Sequence, residues 1–276
     1  MDPPESVTTV PAPTTTADPA TSSPSTGAAA ALPDVTELGD VPQITPGDFT
    51  TDLEGTHMVA SESVLYVTNV EGGLARYDLE SGELLGSTPF PDIAATRPEY
   101  AFGSVWTVRW AGNVLHRIDG ATGEIQQSIT LPIQFIGETR NPAITATATD
   151  IWVLSDTNAS VAVRIDPTTN VVAGTIPVPA ASESIRAGFD SLWTTQFPNS
   201  ITRIDPSDGT VLATIDTRAQ FLAVNSDGVW ALDAETGVVH RIDPASNTVA
   251  ARYDSFDHGG IGLTTDGAWI GETFPR

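Results

Sequence analysis

Six basic side chains recur along this chain, His57, Arg97, Arg140, Arg186, Arg218 and His258, each just ahead of a short apolar stretch. Arginine suits carboxylate and phosphate because its planar guanidinium presents paired donors and keeps its charge. A partial ring of such groups on an acidic protein would focus its field on an anionic small molecule or an acidic part of a protein partner. The competing chemistry is local pairing with Glu99, Glu138, Glu183, Asp216 and Asp257, which would leave a braced surface and no ligand site. A second recurrent pair is Arg-x-Asp, as in Arg117-Ile118-Asp119. Two residues apart on a strand, the two side chains point the same way. Present in unit after unit, the pair reads as a structural brace of the turn that follows.

The elements that must position these groups come from a repeat. The phrase returns as Arg76-Tyr77-Asp78, Arg117-Ile118-Asp119, Arg164-Ile165-Asp166, Arg203-Ile204-Asp205 and Arg241-Ile242-Asp243, with arginine intervals of 41, 47, 39 and 38 residues. Ahead of each lies an apolar run marked by Tyr66, Trp106, Trp152, Trp193 or Trp230, and Trp269 marks a sixth. A period near forty with one aromatic per unit predicts an all-β β-propeller of about six four-stranded blades. The unit around Arg203 parses into an inner strand from Arg186 to Phe189, a turn at Asp190-Ser191, and further strands over 192–195, 201–204 and 211–215. Six residues after each repeated arginine stands Gly82, Gly123, Asn170, Gly209 or Asn247, the residue types that enter the left-handed region at least cost. The large aromatics read as wedges in the core between blades.

Composition bounds the rest. The chain of 276 residues carries a formal net charge of −23, with 12 basic residues against 35 acidic ones. All twelve are arginine, and lysine is absent. That balance argues against nucleic acid and against anionic membrane surfaces as partners. Cysteine is absent, so neither a disulfide framework nor a thiolate site exists. Residues 1–33 are rich in Pro, Thr, Ser and Ala and are expected to form a disordered linker ahead of a propeller domain over 34–276. No transmembrane segment or signal peptide is evident in the chain. A linker of this composition suits a domain tethered to the cell envelope, so an extracellular or envelope location is expected. The sixth unit ends at Arg276 before its third and fourth strands. Residues 34–46 would supply a closing outer strand, or the chain is a truncated seven-bladed ring.

Leu65-Tyr66-Val67-Thr68-Asn69 contains the four letters that name the YVTN repeat β-propellers, and the recurring Val-Trp-Val … Arg-Ile-Asp-Pro pattern is similar to units of that bacterial family. The resemblance covers about residues 57–276 and implies a surface or secreted binding protein. The units also look like those of the streptogramin (virginiamycin B) lyase propellers. There the stretch His258-Gly-Gly-Ile-Gly-Leu … Trp269-Ile-Gly-Glu272 resembles the unit that sets a His before the inner strand and a Glu after the Trp strand. In that comparison His258 and Glu272 would be the catalytic pair, with magnesium as cofactor, for elimination across an ester. Glu272 has no counterpart after the other Trp strands, and only His57 offers a second histidine in a matching place. No phosphate-binding glycine loop, zinc spacing or nucleophile elbow is present. The reading that follows is an exported or surface-tethered propeller binding a ligand or protein partner through one face, with a lyase-like enzyme as the alternative.

Overall fold

The computed structural model describes residues 55–69, 73–90, 97–108, 113–133, 143–155, 161–196, 200–253, 259–264 and 267–272. The linker expected over 1–33 and the closing strand expected over 34–46 lie outside the described residues. The strands fall within the second of the two units into which the chain divides, Leu32–Arg276, and among the described residues there is no helix. The first sheet is β1 (Gly55–Ala60), β2 (Val64–Asn69), β3 (Gly73–Asp78) and β4 (Leu84–Pro89). The second is β5 (Glu99–Ala101), β6 (Ser104–Val108), β7 (Val114–Asp119) and β8 (Ile125–Thr130). The third is β9 (Ala143–Ala146), β10 (Ile151–Leu154), β11 (Val161–Asp166) and β12 (Val171–Pro177). The fourth is β13 (Ser182–Gly188), β14 (Ser191–Gln196), β15 (Ser200–Ile204) and β16 (Val211–Ile215). The fifth is β17 (Phe221–Asn225), β18 (Gly228–Asp233), β19 (Val238–Asp243) and β20 (Thr248–Tyr253), and β21 (Gly259–Thr264) pairs with β22 (Gly267–Glu272). Each four-stranded sheet is an antiparallel meander, and the first strands lie side by side in chain order, as in a β-propeller.

Burial explains why each strand has its sequence. Second strands such as Ser104–Val108 are buried throughout, because both sheet faces meet a neighbouring blade, and they carry apolar residues on both faces instead of one. Fourth strands such as Ile125–Thr130 are mostly exposed and form the outer rim. The marked aromatics all fall on second strands. Trp106 packs with Ile151 and Ile165 of the next blade, Trp152 with Ile185 and Leu192, and Trp193 with Leu222 and Val229. Each is a wedge between blades. Gly188 marks how closely the inner strands approach: a Cβ there would meet Val224 Cγ1 at 2.4 Å.

The Arg-x-Asp phrase works differently from the pairing that its spacing suggests. Each aspartate turns back on its own hairpin. Asp119 accepts from the N–H groups of Ala121 and Thr122 at 2.9 and 2.8 Å, and Gly123 follows with φ 78°. These bonds hold the repeated aspartates below the usual carboxylate range. The arginine instead reaches the next blade. Arg203 donates to Pro244 O at 2.7 Å and Asn247 Oδ1 at 3.0 Å there, and to Phe189 O at 3.0 Å in its own first turn. Arg117 repeats this with Pro167 O, Asn170 Oδ1 and Phe102 O. Arg164 pairs instead with Asp150 of its own blade at 3.3 Å, and Gly209 stands where Asn170 and Asn247 offer a side-chain carbonyl in the other two cases. Arg76, Arg117 and Arg203 therefore stitch one blade to the next, Arg76 by donating to Ala121 O, while Arg164 and Arg241 bond within their own blades.

Candidate functional site

The inner strands have one register. In each unit the aromatic pairs with the residue seven positions before it: Val59 with Tyr66, Glu99 with Trp106, Thr145 with Trp152, Arg186 with Trp193, Ala223 with Trp230 and Gly262 with Trp269. Two residues earlier lie His57, Arg97, Ala143, Ser184, Phe221 and Gly260. The predicted basic residues do not share one position in this frame. His57 and Arg97 hold the outer of the two levels, and Arg186 holds the inner one. Arg218 stands three residues before β17. Arg186 is thus inside β13 and not ahead of it, because the strand begins at Ser182 and the hairpin turn falls on Phe189 and Asp190. The turn expected at Asp190-Ser191 thus falls one residue earlier, with φ of 54° and 53° at Phe189 and Asp190; aspartate enters that region readily, whereas phenylalanine does not.

Around β9 the two levels converge. Glu99 reaches from β5 to the N–H of Ala146, and Thr145 Oγ1 in turn accepts from Ala187 N of β13 at 3.0 Å. Arg186 comes back from β13, its Nη1 donating to Ile144 O of β9 at 3.3 Å and to Ile185 O at 2.8 Å. Glu99 and Arg186 thereby address backbone groups two residues apart on the strand between them. Burial pushes the Glu99 carboxyl up to about 7, and Arg186 opposes that rise only in part. Glu99 keeps some access to solvent, being half-buried.

Arg97 crosses further. Its guanidinium lies over the Phe221 ring of β17, 4.7 Å from the centroid. Among the described residues it makes no hydrogen bond or ion pair. Burial first and the Arg186 charge second bring it down to about 10, so it stays cationic at neutral pH. His57 is lowered to about 4 by burial and by Arg97, and is neutral there. Ser184 Oγ, on the face of β13 that carries Arg186, is buried with no partner among the described residues. The arrangement has two half-buried guanidiniums, one carboxyl that is half-charged at neutral pH, a neutral imidazole and an aromatic platform. Such a set can hold an anion and exchange a proton.

The other predicted residues fall elsewhere. Arg218 is engaged by Asp233 at 3.1 Å and by Glu235, the local pairing that is the alternative to ligand binding. Arg140 and His258 lie outside the described residues. Glu272 ends β22 opposite Gly259, the residue after His258 in sequence, and its side chain is not described. His116 bonds Ser128 and His240 bonds Thr217, both on third strands. Among the described residues no cluster of three or more His, Asp or Glu side chains could hold a metal, and no helix is long and apolar enough to cross a membrane. Sequence reasoning treated Glu99 only as a local counter-charge and missed Phe221. Counting back from each aromatic would have found both, since Glu99 stands seven residues before Trp106 and Phe221, like Arg97, nine before its own aromatic.

The family described as outer membrane protein assembly factor BamB matches residues 35–187, more than half of the chain. BamB from Moraxella catarrhalis is similar in structure, with a TM-score of 0.54 and 13% identity over 75% of this chain and 66% of that one. The chain thus spans just under two thirds of that protein. The Neurospora crassa Pan2 WD40 domain is similar at a TM-score of 0.54 and 10% identity, over 79% of this chain and 86% of that one. At these identities the two structures speak for the propeller fold, in agreement with the repeat in the sequence. No curated protein matches.

Proposed function

Because the chain belongs to the outer membrane protein assembly factor BamB family, we propose that it is an envelope-located propeller that binds a partner through one face of its ring. The end of the channel lined by Arg97, Arg186 and Phe221 is the anion-holding part of that face. The observation that carries this reading is Arg97. A buried or half-buried guanidinium ordinarily finds carboxylates or carbonyls, yet Arg97 spends its position on an aromatic ring and meets no acceptor among the described residues. Placing it beside a second guanidinium costs free energy that an anionic ligand would recover. The overall charge of −23 makes nonspecific anion binding unfavourable, so saturable binding reports a local site.

The test is calorimetric titration of the purified protein with succinate, and with an acidic peptide, near 0.15 M salt, where long-range fields are damped. Arg97→Ala combined with Arg186→Ala abolishes binding on this reading; unchanged affinity refutes it. Location is checked by fractionating source cells, and recovery of the protein in the cytoplasm refutes the envelope assignment.

A further inference from the structure

We infer that the channel site takes a small dianion together with one proton, which Glu99 receives, so that the ligand is held between Arg97 and Arg186 above a neutral carboxyl. This rests on the reading of those two arginines as an anion site and adds the ligand's charge class and its coupling to protons.

The geometry supplies the argument. Glu99 sits at the inner level and Arg97 two residues ahead of it on the same chain segment, while Arg186 arrives at the inner level from β13. Glu99 and Arg186 do not form an ion pair; they are held apart by β9, each occupied with its backbone, at Ala146 N–H and Ile144 O. Glu99 therefore compensates the cations only partly. With Glu99 ionised, the three groups carry a net single positive charge, and with Glu99 protonated they carry two. A dianion between the arginines neutralises the second state and not the first, and it faces Glu99 at short range in a poorly hydrated space, where like charges repel strongly. Proton uptake removes that repulsion.

The groups that act on Glu99 are few and can be named. Arg186 comes from β13 and Ala146 N–H from β9, uncharged Trp106 of β6 is its register partner, and Arg97, two residues ahead on its own segment, acts on His57 of β1. The carboxyl already titrates near neutrality without a ligand, so a nearby dianion has only to raise it further. His57 does not supply the proton, being neutral well below this range. The dianion is either tetrahedral, as in a phosphoryl or sulfuryl group, or a dicarboxylate. Both place two charges across two guanidiniums.

The experiment titrates the intact chain with sulfate and, separately, with succinate, both fully dianionic between pH 7 and 8.5. Calorimetry in two buffers of different ionisation heat then reads protons taken up per ligand. Uptake approaching one proton at pH 8.5 and affinity falling about tenfold per pH unit above pH 7 are expected. In Glu99→Gln, uptake disappears, affinity is level with pH, and binding at pH 8.5 exceeds that of the unaltered protein by about thirtyfold. Preference for sulfate or for succinate identifies the tetrahedral or the dicarboxylate source. Binding without proton uptake in the unaltered protein overturns the coupling while leaving the anion site standing, and that measurement needs no variant to fold. Absence of saturable binding by either dianion, or equal binding by the Arg97→Ala, Arg186→Ala variant, overturns both.

Discussion

Replacing Glu99 by glutamine should stabilise the folded protein at alkaline pH and leave it little changed in mild acid. The Glu99 carboxyl is raised from 4.5 to about 7 by burial. A group raised on folding contributes stability that is complete below its unfolded value and is lost as pH rises through its folded one. Across pH 5 to 8 that loss amounts to about 2.5 kcal/mol at most, and roughly half as much if channel water screens the charge. Glutamine keeps an oxygen for the Ala146 N–H and carries no charge, so the variant escapes the loss. For a propeller of this size the difference in melting temperature should open by about 3–8 °C between pH 5 and 8. His57 runs the other way. Lowered to about 4, it contributes stability that is complete above 6.5 and lost as pH falls toward 4, which masks Glu99 in the unaltered protein's own profile. The assay is therefore the difference between the two proteins, measured by differential scanning calorimetry across that range, in which the His57 contribution cancels. A difference independent of pH would refute the claim that Glu99 is ionised against the cost of burial.

Three further outcomes test the packing. Trp193→Ala should cost about 3–5 kcal/mol in urea denaturation, because the ring is fully buried between two blades; the half-buried Trp230 should cost less when truncated, and equal losses would contradict the wedge role. Asn247→Gly keeps the left-handed turn, at φ 56°, while removing the carbonyl that Arg203 reaches, and should cost about 1–2 kcal/mol; an unchanged denaturation midpoint would show that the stitch between blades contributes nothing. Gly188→Ala drives a methyl into Val224 and should destabilise by about 1–3 kcal/mol, with a neutral result disproving the close approach of β13 and β17.

The propeller was legible in the sequence because a blade is built from local chemistry. An apolar second strand, a repeated Arg-Ile-Asp strand and a Gly or Asn six residues after the arginine each declare themselves within one unit, and all five of those turn residues have positive φ. The aromatics were placed on second strands for the same reason: a residue covered on both sides must be large and apolar wherever the unit repeats. What a blade gives to its neighbour was not legible. Arg203 could have answered Asp205, two residues away; that it answers Asn247 instead depends on how far one blade stands from the next. The candidate site is wholly of this second kind. Arg97 meets Phe221 across more than a hundred residues of chain, and Glu99 meets Arg186 across an intervening strand. Sequence spacing gives the level at which each side chain sits, through the constant seven-residue offset from the aromatic. Only the tertiary structure decides which side chains at one level confront each other, and how much water is left between them, and those two quantities set the charge each group carries.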